Sequence, residues 1–211
     1  MSLSVVIQAM PGRPALEKTL ASLRASDLPD PTILYQPPDR TPVEFFLSVL
    51  DWMAQSPAEL VLRLEDDVLV NQHSLHNIET WTAPHDAERF GMGWLFDPGG
   101  TTQSVHDKIY QRVGETDRWH CGGLLHGALG TLAWTRDMPE IRQYAAEYLA
   151  EHGAVFDLAL AHAVMRRGRC ICVHAPSLLE HQESTSAFGH FTHPVHDTSN
   201  GSFFSSWRRS S

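Results

Sequence analysis

The sequence has little positive charge. Its 211 residues include 16 lysines and arginines against 25 aspartates and glutamates, which gives a formal net charge of -9. General nucleic-acid binders normally present a strongly basic face, so this balance argues against that class. A small anionic substrate is not excluded, because a bound metal ion can reverse the local field.

Cysteines and long apolar runs are also scarce. The three cysteines, Cys121, Cys170 and Cys172, are an odd number, and their spacing matches no common zinc pattern. The longest apolar runs fall far short of the roughly 20 residues that span a membrane. No secretory leader follows Met1, so we expect a protein of the reducing cytoplasm without a transmembrane segment.

Three common catalytic motifs are missing as well. The sequence contains no glycine-rich phosphate loop ending in Lys-Ser/Thr, no His-Glu-x-x-His and no Gly-x-Ser-x-Gly. These absences argue against P-loop nucleotide hydrolases, helix-based zinc proteases and α/β-hydrolases.

The first 70 residues alternate between strand and helix patterns. Strand patterns occur at Leu3–Gln8, Thr32–Tyr35 and Glu59–Leu64. Leucines at helical spacing predict a helix after Pro14, and a capping box of Thr41 and Glu44 predicts the start of a second helix. The alternation predicts an α/β fold, with a mostly parallel central sheet flanked by helices.

The rest of the chain predicts elements with less distinct ends. We expect strands at Phe90–Phe96, Gly127–Trp134 and Arg169–His174, a helix near Pro139 capped by Asp137, and a helix at Leu158–Arg167. Residues 97–118 are expected to form a loop with one short strand near Ile109. We therefore predict a single compact domain at residues 1–190, followed by a flexible tail at residues 191–211.

Glu65, Asp66 and Asp67 directly follow the third strand pattern. Open α/β sheets bind their ligands at the carboxyl ends of the strands. Because adjacent carboxylates repel each other, we expect a cation here, and a divalent metal holding a diphosphate is the leading candidate. Strand alternation would place Glu65 and Asp67 on one side and Asp66 on the other. An acidic helix cap or a solvated loop is the alternative interpretation.

In their order and spacing, four segments resemble the GT-A class of nucleotide-sugar-dependent glycosyltransferases. They are Val5–Arg13 with the helix after it, the Glu65–Asp67 motif, Asp157 at a helix start, and His181–Gly189. The resemblance spans residues 3–190 and is greatest to the inverting family-2 group and the N-acetylglucosaminyltransferase IV group. It implies a GT-A-like (Rossmann-like) fold and a nucleotide-sugar donor, with UDP as the default nucleotide.

The resemblance also implies a metal site. Asp67 and His181 should ligate Mn²⁺ or Mg²⁺, and Glu65 or Asp66 should face the ribose or a water of the metal shell. Mixed carboxylate and imidazole ligation favours Mn²⁺, since Mg²⁺ prefers oxygen. The chain contains 13 histidines, so a surface role for His181 is the alternative.

Three further residues receive roles from the same resemblance. Arg13 should contact the base or the diphosphate, and Asp39 should meet the uracil or the ribose. Either could instead be a solvated turn residue. Asp157 should be the general base that deprotonates the acceptor hydroxyl. Its position also makes it a good helix N-cap, worth about 1 kcal/mol, and the two roles are compatible.

The resulting hypothesis is a metal-dependent, inverting glycosyltransferase. Its acceptor stays open among a saccharide, a lipid, a protein, a small molecule and a modified nucleobase, and residues 97–123 should set the preference. One alternative is a nucleotidyltransferase on a similar fold, although Met10–Arg13 is sparse for the glycine-rich loop of those enzymes. The other alternative is a non-catalytic module that binds a nucleotide sugar or a glycan.

Overall fold

The computed structural model describes residues 1–96, 128–174 and 177–182, together with the backbone of residues 111–113 and 117–120. Strands in this part of the chain are β1 (Leu3–Ala9), β2 (Thr32–Tyr35), β3 (Leu60–Glu65), β4 (Val68–Val70), β5 (Phe90–Trp94), β6 (Gln111–Val113), β7 (Asp117–His120), β8 (Gly130–Trp134), β9 (Cys170–His174) and β10 (Leu179–His181). The α-helices are α1 (Ala15–Arg24), α2 (Pro42–Ala54), α3 (Ser74–Glu79), α4 (Met138–His152) and α5 (Phe156–Arg166).

Eight of these strands form one central sheet, in the order β2-β1-β3-β8-β5-β9-β7-β6. Six of the eight described strands run in one direction, and β8 and β7 run in the other. The predicted mostly parallel sheet is therefore confirmed. Because β2, β1 and β3 are parallel neighbours, their carboxyl ends meet at one edge.

Helices cover both faces of this sheet. The side chains of α2, α4 and α5 pack on one face, and those of α1 and α3 pack on the other. Phe46 and Met53 of α2 are fully buried, as are Leu62 and Leu64 of β3. Burial on both faces explains why β3 is almost continuously apolar in sequence.

The predicted helix starts have different outcomes. The capping box of α2 is confirmed: Thr41 Oγ1 accepts from the Glu44 N–H at 3.2 Å, and Glu44 Oε2 accepts from the Thr41 N–H at 2.8 Å. Asp137 does precede α4, but it makes no side-chain capping bond. Its carboxylate instead accepts a hydrogen bond from Arg167 at 2.6 Å. An ion pair to the next helix has taken the place of the cap.

Residues 97–118 differ in part from the predicted loop. The structure has β6 and β7 at Gln111–Val113 and Asp117–His120, where one short strand near Ile109 was expected. Ile109 itself, the rest of this segment and the predicted tail at residues 191–211 lie outside the described residues.

Two further features of the described residues concern helix length and the cysteines. Within the described residues, no helix combines the length and apolar character needed to cross a membrane. Cys170 is disulfide-bonded, whereas Cys172 is free and buried.

Candidate active site

The acidic residues lie at the carboxyl edge of the sheet. β3 ends at Glu65, and Asp66 and Asp67 form a turn that leads into β4. The strand expected to carry all three residues ends at Glu65, so the alternation of a strand does not govern Asp66 and Asp67. As a result, Arg13 contacts both Asp66 and Asp67.

Arg13 joins the turn after β1 to the acidic turn. Its Nη1 lies 2.5 Å from Asp66 Oδ1 and its Nη2 lies 2.8 Å from Asp67 Oδ2. The other oxygen of Asp66 accepts a hydrogen bond from the Met10 N–H at 2.7 Å. Gly12 adopts a φ of 77°, a conformation suited to glycine, and so lets the chain turn between these contacts. The Asp66 side chain is 2% exposed, and its hydrogen bonds link the two turns of the site. Its contact with a ribose stays a prediction.

His181 reaches the acidic turn through a second, small sheet. β10 pairs with β4 in antiparallel fashion and places His181 opposite Val68. Its Nε2 lies 3.4 Å from Asp67 Oδ2, and the two side chains are 17% and 7% exposed. The structure therefore brings together the two residues for which the sequence implied a metal role.

Gln182 connects the end of β10 to the acidic turn and to α1. Its backbone N–H donates to the Asp67 carbonyl at 2.8 Å, and its side-chain Nε2 lies 2.9 Å from Thr19 Oγ1. The Thr19 hydroxyl in turn lies 2.9 Å from the Asp66 carbonyl oxygen. Sequence reasoning missed both residues. A polar Thr19 between Leu16 and Leu23 on the buried stripe of α1 is the pattern that could have revealed the network.

Arg63 is a fully buried cation beneath the site. Its guanidinium donates to Gln8 Oε1 at 2.8 Å, to the Ala128 carbonyl at 2.6 Å and to Glu65 Oε1 at 3.1 Å. It also lies over the ring of Phe46, 5.3 Å from the centroid. A buried charge is tolerated when its hydrogen bonds are satisfied. Arg63 receives no role from the sequence alone, because it lies within an apolar strand pattern. A single arginine in such a strand indicates a buried charge with bonding partners.

Charges around the site fix the protonation of Asp67. Burial alone would raise the pKa of Asp67, but the hydrogen bond and charge of His181, together with Arg13, lower it to about 2. The hydrogen bond to Asp67 raises the pKa of His181 and so favours the imidazolium. Desolvation raises the pKa of Glu65, although its side chain is 34% exposed, and Arg63 opposes that shift. A metal on His181 would have to release its proton.

The chemistry of Asp67 and His181 fits a divalent ion. A carboxylate oxygen and an imidazole nitrogen at 3.4 Å form a mixed donor pair of the kind that suits Mn²⁺. The described ranges contain no group of three His, Cys, Asp or Glu side chains arranged to hold a metal. Two protein ligands suffice where phosphate oxygens and water complete the shell.

Asp39 lies at the same edge of the sheet. It is exposed in the turn after β2, whose carboxyl end adjoins that of β1. Tyr35, the last residue of β2, is 50% exposed at this edge and was not singled out from the sequence. The nucleotide contact of Asp39 stays a prediction.

Asp157 lies in the first turn of α5. The prediction that it is the N-cap is wrong, because α5 begins at Phe156 with Val155 as cap, and the Asp157 carboxylate accepts the Leu158 N–H at 2.9 Å. A carboxylate in the first turn is still favoured by the helix dipole. Since α5 leads directly into β9 and packs against it, its first turn faces the carboxyl edge of the sheet. The role of Asp157 as base stays a prediction.

Comparison with solved structures identifies the fold. A mannose-1-phosphate geranyltransferase from Thermus thermophilus has 14% identity and a TM-score of 0.50, over 82% of this chain and 74% of that one. A glycosyltransferase involved in glycosylating the major capsid of PBCV-1 has 14% identity and a TM-score of 0.50, over 84% and 93%. The galactosyltransferase LgtC, solved with donor and acceptor sugar analogues, has 13% identity and a TM-score of 0.47, over 80% and 72%.

Sequence comparisons add no relative. No protein-family model matches the chain, and no curated protein matches it either. At 14% identity the first two structures establish the architecture alone. The chain therefore has the GT-A-like fold that its sequence predicts, shared with the transferases of Thermus thermophilus and PBCV-1.

Proposed function

We propose that this protein is a metal-dependent glycosyltransferase that transfers a sugar, with inversion, from a UDP-sugar to an acceptor hydroxyl. The observation that carries the proposal is the pair of Asp67 and His181, 3.4 Å apart at the carboxyl edge of the sheet. Ligands of α/β folds bind at this edge. The PBCV-1 protein of the same fold is named a glycosyltransferase, which supports this reaction class.

In this proposal the metal site serves the leaving group. Asp67 and His181 would hold Mn²⁺ or Mg²⁺, which would neutralise the charge that develops on the departing diphosphate. The Nη2 of Arg63 donates to Glu65 Oε1 at 3.1 Å and would orient this carboxylate toward the donor. Asp39 would contact the nucleoside. Water exclusion around the buried Asp67 strengthens each of these electrostatic contacts.

Asp157 acts on the acceptor. Its carboxylate takes the proton of the acceptor hydroxyl as that oxygen attacks the anomeric carbon from the face opposite the diphosphate, which gives inversion. The acceptor is a saccharide, lipid, protein, small molecule or modified nucleobase, and the proposed location of the protein is the cytoplasm.

Donor turnover tests the proposal. The protein is incubated with UDP-glucose, UDP-galactose or UDP-N-acetylglucosamine and Mn²⁺, and the released UDP is measured with water as the acceptor. We expect release with one donor, and a loss of about 100-fold or more in Asp157→Asn. Exposed Asp30→Asn is the control and should keep the wild-type rate. A protein that binds a UDP-sugar but releases no UDP, either with water alone or with saccharide, lipid, peptide and nucleoside acceptors added, would be a non-catalytic binding module.

A further inference from the structure

Two cationic side chains meet one oxygen of Asp67. The Nη2 of Arg13 lies 2.8 Å from Oδ2, and the Nε2 of His181 lies 3.4 Å from the same atom. Arg13 also contacts Asp66, so its guanidinium carries the charge that balances the acidic turn. The Arg13 side chain is 18% exposed, whereas that of Asp66 is 2% exposed.

A divalent ion on Asp67 would lie within a few ångströms of the Arg13 guanidinium. Like charges at that separation repel strongly where solvent is partly excluded. The sharing of Oδ2 makes the conflict direct, because a ligand oxygen that accepts the Arg13 hydrogen bond is less available to a metal.

Three hydrogen bonds other than those of Arg13 hold the acidic turn in position. The Met10 N–H holds the Asp66 carboxylate at 2.7 Å, the Thr19 hydroxyl holds the Asp66 carbonyl at 2.9 Å, and the Gln182 N–H holds the Asp67 carbonyl at 2.8 Å. Arg13 itself follows an exposed turn at Pro11 and Gly12. Because these three hydrogen bonds do not involve Arg13, they can keep the turn in place when the guanidinium leaves one carboxylate.

We propose that Arg13 is the resident counter-cation of the acidic turn, that it competes with the divalent metal for Asp67, and that it turns to the diphosphate once the metal has bound. This inference rests on the metal site of the proposed function. Arg13 would therefore have two roles. Before the metal binds, it weakens metal binding at Asp67, and after the metal has bound, it binds the diphosphate anion.

Two titrations on Arg13→Gln test the exchange. Binding of Mn²⁺ alone should become about tenfold tighter than in wild type, because a positive charge next to Asp67 has been removed. Binding of inorganic pyrophosphate at saturating Mn²⁺ should become about tenfold weaker, because a bidentate anion ligand has been lost. Both are measured by calorimetry. Arg24→Gln removes the same charge from the exposed far end of α1 and should change neither value.

The opposite signs separate exchange from a purely structural role. If Arg13→Gln does not fold, as judged by circular dichroism, Arg13→Met replaces it, because it also removes the positive charge beside Asp67 and should likewise bind Mn²⁺ more tightly. Unchanged or weaker Mn²⁺ binding overturns the competition, and unchanged pyrophosphate binding overturns the transfer to the diphosphate. If wild type binds Mn²⁺ through Asp67, either result leaves the proposed function intact; if no variant binds Mn²⁺, both proposals fall.

Discussion

Arg63 shows how a single buried residue can support the site. Replacing it with methionine should lower the free energy of unfolding by about 2–5 kcal/mol, since the Ala128 carbonyl and the Gln8 amide lose a buried donor. Urea denaturation measures the loss. The control is Arg142→Met, whose guanidinium pairs with Asp51 at the surface and should cost about 1 kcal/mol or less. Equal losses in the two variants would contradict the buried role of Arg63.

The contact between His181 and Asp67 predicts a pH-dependent stability. His181 has a raised pKa in the folded protein, so its stabilising charge is fully present below its ordinary pKa of about 6.5 and is lost as the pH rises through the folded value. Asp67, with a pKa of about 2, stays ionised over that range. With a chelator present, His181→Gln should therefore be destabilised more, relative to wild type, at pH 5.5 than at pH 9.

Denaturant unfolding at the two pH values checks this expectation. Exposed His85→Gln is the control for a general effect of losing a histidine. A destabilisation of His181→Gln that is the same at both pH values would show that the imidazolium does not contribute.

At the residue scale, the sequence led to the candidate metal ligands but not to the residues that hold them in position. The acidic cluster after a buried strand predicted a cation, whereas the metal roles of Asp67 and His181 came from the resemblance to GT-A enzymes and stay predictions. Gln182 and Thr19 were not predicted, since their contacts join segments 163 residues apart and no local pattern encodes that pairing.

At the element scale, the β4–β10 ladder sets the position of His181. Gln182 ties the end of β10 to α1 through Thr19 at 2.9 Å. Gln182→Met keeps the length of the side chain but removes this buried donor, so it should cost about 1–3 kcal/mol of stability. It should also weaken Mn²⁺ binding about 10-fold or more, because the imidazole loses its support.

Gln143→Met on the exposed face of α4 is the matched control, and it should leave both quantities unchanged. Unfolding and calorimetric titration measure them. A Gln182→Met protein that binds Mn²⁺ as wild type does would show that β10 is held by its ladder alone.

Helix starts show where local patterns stop being reliable. The box of Thr41 and Glu44 is local and formed as predicted. Asp137, which precedes α4, forms an ion pair with Arg167 at the end of α5 and so does not cap its own helix. Asp157 lies one residue inside the first turn because α5 begins at Phe156, whose ring stacks on Phe46 of α2 at 4.6 Å. Tertiary contacts decided both cases.

At the scale of the whole molecule, alternation of strands and helices sufficed to predict the sheet and its helical layers. The reversed strand β8 between β3 and β5 was beyond reach, because a strand buried on both faces has the same apolar pattern in either direction. The overall negative charge of -9 also fits a site that needs cations before it can accept a diphosphate.

Calorimetric titration of UDP, with and without Mn²⁺, into wild type and Asp67→Asn tests the central claim most directly. The account predicts that wild type binds UDP only with Mn²⁺ present and that Asp67→Asn binds it at least about 100-fold more weakly. UDP binding of equal strength without Mn²⁺, or binding that survives Asp67→Asn, would contradict a metal-held diphosphate at this edge of the sheet.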